Sequence, residues 1–249
     1  AADVTLHSKM SVSELKKMGQ LTDDGEAEMP FESVLSWPEE TVDASPDALG
    51  IDAAESICEM CGGHATESAQ EMSGMPADSG AGADRGTAYH RALELLPFDQ
   101  IRSRSDVEAW LERFVEEKQY TAESLKMVDS TVIWNFLCSE TGHRMAAAQA
   151  EGRLHKEQQF VMGIPARAVG PVDSDELVVI QGIIDAYFEE DGELILVDYK
   201  TDRTWSSQVL LDHYKRQLDY YERALNQLTG KKVREKWIYS LTMQRAIPC

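Results

Sequence analysis

A predicted β-hairpin in the second half of the chain constrains its fold more than any other feature. The segment from Gln181 to Thr201 consists of two apolar runs that are separated by Asp191-Gly192. An Asp-Gly pair between such runs is typical of a two-residue hairpin turn, because both turn positions need a positive φ angle. If these two residues form the turn, counting back along both strands places Asp185 directly opposite Asp198.

The two opposed aspartates predict a metal site. Like charges directly opposite each other destabilise a sheet, so the arrangement indicates a divalent cation between the carboxylates. A hard cation such as Mg²⁺ prefers oxygen ligands and keeps several waters. Lys200 lies on the same face of the strand as Asp198, because side chains alternate along a strand. We expect this lysine to orient or help deprotonate an attacking water, or to stabilise charge on a phosphate.

The charge of the chain limits how it can bind nucleic acid. The 249 residues have a net charge of -20, and the first 80 hold 17 acidic and 3 basic side chains. This acidity argues against a free-standing DNA-binding protein, but not against an enzyme that receives its nucleic acid from a basic partner. No apolar run is long enough to predict a transmembrane helix, and the start does not resemble a secretory signal peptide. Four cysteines do not indicate a disulfide scaffold, so the cytoplasm is the expected compartment.

The composition divides the chain into three parts. Residues 1–20 contain a predicted helix from Ser11 to Met18, with Ser11 or Ser13 as its N-cap. Residues 21–84 are rich in acidic and small polar residues and predict a flexible insert. Residues 85–249 predict a mixed α/β core. Since the chain does not start with Met, we expect a processed chain or a fragment of a longer protein.

The periodicity of apolar residues predicts the elements of the core. The order is helices, three strands, a long helix that ends at Gly230, and a final strand. The predicted helices are Arg85–Leu96, Ser105–Glu117, Ala122–Val128, Ser130–Thr141 (ending near Gly142), Ala146–Ala150 and Gln208–Leu228, and the strands are Leu154–Met162, Leu177–Phe188, Glu193–Thr201 and Val233–Leu241.

Further polar residues are candidates for the same site. Gln217 and Tyr221 are four residues apart in the long helix and therefore share one face. His90, in an upstream helix, could supply a nitrogen ligand to the ion. Glu157, in a strand-like segment, could lie at the edge of the sheet near the site.

Five elements, in this order, resemble the PD-(D/E)XK nuclease superfamily. They are Gly86-Thr87 with His90, Glu157 with Phe160, Gly182 to Asp185, Asp198 to Thr201, and Gln217 with Tyr221. Within this superfamily the order resembles the RecB-like branch, and most closely the C-terminal nuclease domain of the AddA helicase–nuclease family. The resemblance covers about 85–249 well, and the run from Ser11 to Lys16 also resembles the start of that domain. One departure is Ile184, which stands where this branch usually has proline.

The resemblance implies a restriction-endonuclease-like fold, with a mixed central sheet flanked by helices. It implies that His90, Asp185, Asp198 and the Tyr199 backbone carbonyl bind Mg²⁺, or Mn²⁺ in its place. Lys200 is implied to be catalytic together with both aspartates, and we expect Glu157 to join them. Gln217 and Tyr221, and with them Thr201, are expected to contact the substrate.

The resemblance also implies a substrate and partners. The substrate is DNA, as a single strand fed from a helicase motor. The motor would lie in the same polypeptide, beside an AddB-like partner protein, in bacterial double-strand-break repair and recombination. No P-loop sequence G-x-x-x-x-G-K-[ST] occurs in this chain, so the motor is not within it. No membrane partner is expected.

Less specific interpretations stay open at this stage. The chain could be a catalytically degenerate nuclease fold that guides DNA or docks a partner, although such a domain has no reason to keep Asp185, Asp198 and Lys200. A nuclease of the same branch from a CRISPR adaptation system is disfavoured because its cysteine cluster is missing. Cys58, Cys61 and His64 hint at zinc without a second ligand pair. The basic cluster of Lys231, Lys232, Arg234 and Lys236 is either a solvated edge or a DNA contact.

Overall fold

The computed structural model describes residues 9–11, 79–168 and 174–249. The described chain forms an α/β fold, which confirms the predicted class. Its helices are α1 Ser79–Leu95, α2 Arg104–Glu116, α3 Ala122–Met127, α4 Ser130–Leu137, α5 Glu140–Ala150 and α6 Ser207–Thr229. Its strands are β1 Lys9–Ser11, β2 Leu154–Pro165, β3 Leu177–Glu190, β4 Glu193–Lys200, β5 Val233–Ser240 and β6 Arg245–Pro248, and short 3-10 turns span Phe98–Gln100 and Ala166–Ala168. No helix among these residues is long and apolar enough to cross a membrane.

The six described strands form one mixed sheet. Along the sheet the order is β1-β3-β4-β5-β6, and β2 pairs with the other edge of β3. β2, β3 and β4 are antiparallel, whereas β1 joins β3 and β5 joins β4 in parallel. The long crossover through α6 makes the parallel β4–β5 pairing possible, because parallel neighbours cannot be joined by a tight turn.

The hairpin has the predicted register. Glu190 pairs with Glu193 and the pairing continues to Ala186 with Val197. Asp191 and Gly192 form the turn with φ angles of 54° and 83°. These positive values explain why Asp-Gly occupies the turn, since few other residues adopt them without strain.

Two apolar cores lie on opposite sides of the sheet. The first joins α1 to α5 with β3, β4 and β5, and the second joins α6 with the strands β2 to β6. Even-numbered side chains of β3 change sides along the strand. Ala186 and Phe188 belong to the first core, whereas Ile180 and Ile184 belong to the second. The exchange falls at Asp185, so the candidate site lies where the sheet passes from one core to the other.

Several element boundaries differ from the prediction. The stretch predicted as one helix from Ser130 to Thr141 is two helices, because Ser139 caps a new helix by accepting from the Gly142 N–H. Gly142 is therefore in the first turn of α5 rather than near a helix end. A Cβ at Gly142 would lie 2.1 Å from the Phe136 carbonyl oxygen, so glycine permits the close approach of α4 and α5.

Other differences lie at the ends of elements. α1 begins at Ser79, six residues before the predicted start. The strand that we expected to be the last is followed by β6, whose four residues are too few to give a periodicity. Gly230 ends α6 with a φ of 68°, as predicted. Ser11 lies in β1, which was not predicted, and the rest of the predicted helix to Met18 lies outside the described residues, as do Cys58, Cys61 and most of the expected insert.

Candidate active site

The candidate site begins where two strands leave room on one edge of β3. β2 occupies the other edge of β3 along nearly its whole length. On this edge, β1 pairs as far as Gln181 and β4 pairs only from Ala186 onwards. Asp185 lies in the gap and is buried. Its carboxylate Oδ2 accepts a hydrogen bond of 2.8 Å from the Tyr199 backbone N–H. This side-chain hydrogen bond replaces the next backbone hydrogen bond of the β3–β4 pairing, which ends at Ala186 and Val197.

Glu157 lies opposite Asp185 on the neighbouring strand. Lys156 pairs with Ala186 and Gln158 pairs with Ile184, which leaves Glu157 facing Asp185 between them. The backbone of Glu157 has a φ of 48°, a left-handed value that is unusual for a residue in a strand. Such strained residues tend to occur at functional sites. The sequence prediction had placed Glu157 near the site without foreseeing this conformation.

His90 reaches the two carboxylates from helix α1. Its Nδ1 is 3.3 Å from Asp185 Oδ1 and 3.7 Å from Glu157 Oε1. Its Nε2 is 3.1 Å from the Tyr199 carbonyl oxygen. Ligand atoms of the three side chains all lie within 4.8 Å of one another, which makes them a group that could hold a metal ion.

Two tyrosines hold α1 in place. The Tyr120 hydroxyl donates to the Ala88 carbonyl at 2.8 Å, and the Tyr89 hydroxyl accepts from the Asp129 N–H at 3.0 Å. These bonds tie α1 to the helical layer at the two residues that immediately precede His90. The orientation of the imidazole is therefore fixed by the first core rather than by the site alone.

The two carboxylates beside His90 favour the protonated form of its ring. Burial alone lowers the pKa of His90, but the neighbouring Asp185 and Glu157 carboxylates raise it to about 10. Burial would raise the pKa of Asp185, but His90, Lys200 and the Tyr199 N–H together hold it below its ordinary value. His90 is therefore an imidazolium that neutralises part of the negative charge at neutral pH.

Asp198 and Lys200 form a buried ion pair beside this cluster. Lys200 Nζ is 2.5 Å from Asp198 Oδ2, which confirms that the two side chains share a face. Burial raises the pKa of Asp198 to about 6, with Lys200 opposing the shift and Asp185 adding to it. Burial acts to lower the pKa of Lys200, but Asp198 and Asp185 raise it above its ordinary value. Lys200 is therefore a fixed cation in the metal-free protein.

Helix α6 supplies the remaining polar groups. Gln217 Nε2 donates to the Tyr221 hydroxyl at 2.7 Å and lies 3.4 Å from Asp198 Oδ1. The two residues therefore share a face directed at the site, as their spacing predicted. The Tyr221 ring packs edge-on against Phe160 in the second core. Thr201, the remaining residue predicted to contact the substrate, directly follows β4. It packs closely against Gly86 of α1, where an added Cβ would lie 3.2 Å from the Thr201 Oγ1.

The sequence prediction missed two residues on this side. The Tyr214 ring centroid is 4.3 Å from Lys200 Nζ, within the range of a cation–π contact. The Tyr214 hydroxyl donates to Asp202 at 2.9 Å. Tyr214 precedes Gln217 by three residues and Tyr221 by seven, so the helical spacing of these polar side chains was the signal that could have found it.

The donor set fits a hard divalent cation. Asp185 and Glu157 supply carboxylate oxygens, and His90 supplies a ring nitrogen. Once His90 loses its proton, the negative charge of the two carboxylates is left for a cation to balance. Asp198 lies outside this three-residue group and is engaged with Lys200. The Tyr199 carbonyl oxygen has a second lone pair besides the one directed at His90. Roles for Asp198 and Tyr199 as ligands stay predictions.

An open cavity of about 600 Å³ gives access to the cluster. Its lining is formed by His90, Glu157, Asp185 and Tyr221 together with Ser11 of β1 and the outer parts of β2 and β3. The basic cluster of the C-terminal region lies elsewhere. Lys231, Arg234 and Lys236 all form ion pairs with acidic side chains at the end of β3 or in α6. These pairings favour the interpretation of a structural edge over that of a DNA contact.

Comparison with known proteins shows similarity to nucleases. A family model described as the PD-(D/E)XK nuclease superfamily matches residues 66–246. An ATP-dependent helicase/nuclease subunit of Lachnoclostridium phytofermentans is 33% identical over 202 residues, which are 67% of this chain and 15% of that protein. The proteins of the same name from Clostridium botulinum and Clostridium beijerinckii are 34% and 31% identical over 170 and 172 residues. Those matches cover 66% of this chain and 13% and 14% of the two relatives, so the chain spans a small part of each.

Proposed function

The chain belongs to the PD-(D/E)XK nuclease superfamily, and we propose that it is a metal-dependent DNA nuclease domain that hydrolyses phosphodiester bonds of single-stranded DNA. The observation that carries this proposal is the group of His90, Glu157 and Asp185 beside the buried ion pair of Asp198 and Lys200. The first three side chains provide metal ligands, and the lysine provides a positive charge close to them. A purely structural cluster would need neither the strained glutamate nor the buried lysine, both of which lie close to Asp185.

We assign the cation as Mg²⁺, with Mn²⁺ as a substitute. Asp185, Glu157 and His90 would hold it, and Asp198 and the Tyr199 carbonyl would complete or support the ligand set. Oxygen-rich donor sets of this kind suit Mg²⁺ and Mn²⁺ better than zinc or copper. When bound, such an ion lowers the pKa of its water and neutralises charge at the scissile phosphate.

Lys200 acts on the phosphate in this proposal. Its pKa is held above the ordinary value by Asp198 and Asp185 against the effect of burial, so it carries a proton and a positive charge. Of the lysine roles predicted from the sequence, this charge favours stabilising the negative charge that develops on the phosphate oxygens. Asp198 fixes the ammonium group and Tyr214 covers it. Gln217, Tyr221 and Thr201 hold the DNA strand next to these groups.

The relatives supply the wider context. Their name describes one component of an ATP-dependent helicase/nuclease, and this chain matches about one seventh of their length or slightly less. We infer that the domain works beside helicase domains of the same polypeptide, in the cytoplasm, with an AddB-like protein as partner. In that setting an acidic nuclease domain receives a single strand from the motor instead of capturing DNA by its own charge.

A cleavage assay tests this function. End-labelled single-stranded DNA and a duplex of the same sequence are incubated with Mg²⁺ and the wild-type chain, Asp185→Asn or Asp191→Asn. Asp191 is exposed in the hairpin turn, where asparagine is also favoured, so its variant is a matched control. We expect wild type and Asp191→Asn to degrade the single strand and Asp185→Asn to be inactive. Binding of DNA without cleavage by the wild type would instead support the degenerate, DNA-guiding module.

A further inference from the structure

An uncharged face of the sheet continues from the candidate metal ligands into the same cavity. On β2 and β3, Gln159 pairs with Ile183 and Val161 pairs with Gln181. All four side chains line the cavity together with Glu157 and Asp185. Ile183 and Val161 are 45% and 49% exposed, so the two aliphatic side chains form an apolar surface that the described fold leaves uncovered beside the candidate ligands.

The change of side at Asp185 explains why this face is open. On the stretch of β3 before Asp185, even-numbered residues such as Ile184 turn towards α6 and fill the second core, as Phe160 of β2 does. The odd-numbered residues before Asp185 therefore point to the opposite side of the sheet. After Asp185 that side is covered by the described helices of the first core, but before Asp185 it is not. Among the described residues, the first core includes no side chain of β3 before Ala186 and none of β2 beyond the partly buried Leu154. The face is therefore formed by the fold itself.

The arrangement of side chains on this face is a small checkerboard. Val161 and Ile183 are diagonal neighbours, and Gln159 and Gln181 occupy the other diagonal. Each row lies about 7 Å from the next along the strand, because two residues of a β-strand span that length. The first row is next to Glu157 and Asp185, so a chain that is bound at the metal ligands can continue over it within the same cavity.

We propose that this face binds one or two unpaired nucleobases next to the phosphate that is cut. This inference rests on the proposed function and adds the substrate feature that is recognised. Two of the four side chains, Val161 and Ile183, are aliphatic and gain nothing from a phosphate, and none of the four is charged. Aliphatic groups pack against the flat faces of bases, and glutamine amides can donate to and accept from base edges. In a duplex the flat faces of the bases are stacked on each other and their pairing edges are bonded to the other strand. Neither can contact this face of the sheet, so the face selects single strands.

The test separates bases from phosphates. A fluorescent oligothymidylate and an abasic oligomer with the same number of phosphates are titrated with the 249-residue chain, with Ca²⁺ in place of Mg²⁺. The variants are Val161→Ala/Ile183→Ala and Val161→Thr/Ile183→Thr, the second of which keeps the β-branched shape. Met127→Ala is the matched control, because Met127 is 39% exposed but does not line the cavity.

We expect the double alanine variant to bind oligothymidylate about fivefold to tenfold more weakly, from the apolar contact area lost to a base. Both double variants should bind the abasic oligomer as the wild type does, and Met127→Ala should match the wild type on both. Wild-type affinity for oligothymidylate in the alanine variant would overturn the inference, as would an equal loss on both oligomers.

Cleavage with Mg²⁺ is followed in parallel to distinguish the two proposals. The wild type could bind oligothymidylate more tightly than the abasic oligomer and yet cut neither. That result would overturn the nuclease activity and support the base-binding face. A wild type that cuts oligothymidylate and the abasic oligomer with the same KM would leave the nuclease standing and overturn the face. Absence of both binding and cleavage would overturn both.

Discussion

Glu157 faces Asp185 across the β2–β3 pairing with its backbone in a left-handed conformation. The neighbouring residues Lys156 and Gln158 keep their regular partners on either side, so the irregularity is confined to one position on each strand. A non-glycine residue in this region costs free energy that the surrounding sheet must supply. The fold therefore gives up some stability to bring the Glu157 carboxylate towards His90 and Asp185.

This strain makes substitutions at Glu157 informative. Glycine adopts a positive φ without the steric penalty of a Cβ, so we expect Glu157→Gly to be more stable than Glu157→Ala by about 1 kcal/mol. The usual order for a strand is the reverse, because glycine weakens strands. Urea unfolding of the two metal-free variants measures the difference. Both should lose cleavage, and so should Glu157→Gln, which keeps the shape but not the charge. An alanine variant that is more stable than the glycine variant would contradict the strain.

A second prediction concerns metal binding by Asp185. Ligands that bind only the folded state raise its stability by about 2.7 kcal/mol at a hundredfold excess over Kd. For a domain of this size we expect the Tm of the wild type to rise by roughly 5–10 °C with saturating Mn²⁺. Asp185→Asn should show no such rise, while Asp191→Asn should respond like the wild type. Equal shifts in Asp185→Asn and the wild type would place the ion elsewhere, for example on the acidic first 80 residues.

The sequence was sufficient to predict the hairpin and the residues around it. Asp191-Gly192 defined the turn, and a turn of known length fixes the register of both strands. The contact between Lys200 and Asp198 then follows from strand alternation. Helix α6 and its Gly230 terminus were similarly readable, because a long amphipathic stretch with a glycine at its end is a strong local signal.

Features that depend on contacts outside the local sequence could not be predicted in this way. The left-handed Glu157 is held by pairing on both sides with a strand 28 residues away, and nothing local marks it. Gly142 was misread as a helix end because the requirement for glycine comes from the close approach of α4 and not from the φ angle. The parallel pairing of β1 with β3 joins residues 170 apart, and three residues give no periodicity of their own. The misses at Glu157 and β1 concern pairings between segments far apart in sequence, and the miss at Gly142 concerns the packing of two consecutive helices.

The raised pKa of His90 leads to a prediction about protons. Although burial lowers this pKa, Asp185 and Glu157 raise it to about 10, so the metal-free ring is protonated at pH 8. A nitrogen ligand must be deprotonated, so metal binding should release close to one proton per ion and tighten as the pH rises. Calorimetry with Mn²⁺ at pH 8 in two buffers of different ionisation enthalpy measures the release. His90→Gln should release none, and His213→Gln, an exposed control on α6, should behave like the wild type. Binding by the wild type without proton release would remove His90 from the ligand set.

The role of residues 21–78 can be tested by deletion. None of the five motif elements lies there, and α1 begins at Ser79. Joining residue 20 to Ser79 through a short Gly/Ser bridge should leave a folded protein with the wild-type Tm response to Mn²⁺ and the wild-type rate on single-stranded DNA. A deletion variant that fails to fold would instead indicate that the segment packs on the core, and Phe31 and Trp37 would be the first side chains to test.

The last prediction separates the role of Lys200 from those of the metal ligands. Lys200 Nζ is 2.5 Å from Asp198 Oδ2 and both side chains are buried. A protonated amine has no lone pair for a metal, so Lys200→Met should bind Mn²⁺ at close to wild-type affinity. Cleavage of single-stranded DNA should fall by about 10²–10³, the usual effect of removing one group that stabilises transition-state charge.

The metal-free form of Lys200→Met should also be less stable, because removing one partner of a buried ion pair leaves the other charge uncompensated. Because its affinity for Mn²⁺ is expected to be unchanged, bound Mn²⁺ should stabilise this variant by about as much as it stabilises the wild type. Lys236→Met is the matched control, because Lys236 is also partly buried and ion-paired, with Asp219 and Glu222, away from the site. The control should cleave DNA normally. If Lys200→Met does the same, Lys200 is not part of the catalytic group. If it loses Mn²⁺ binding while remaining folded, the lysine instead organises the carboxylates, and the charge that acts on the phosphate has to come from another residue.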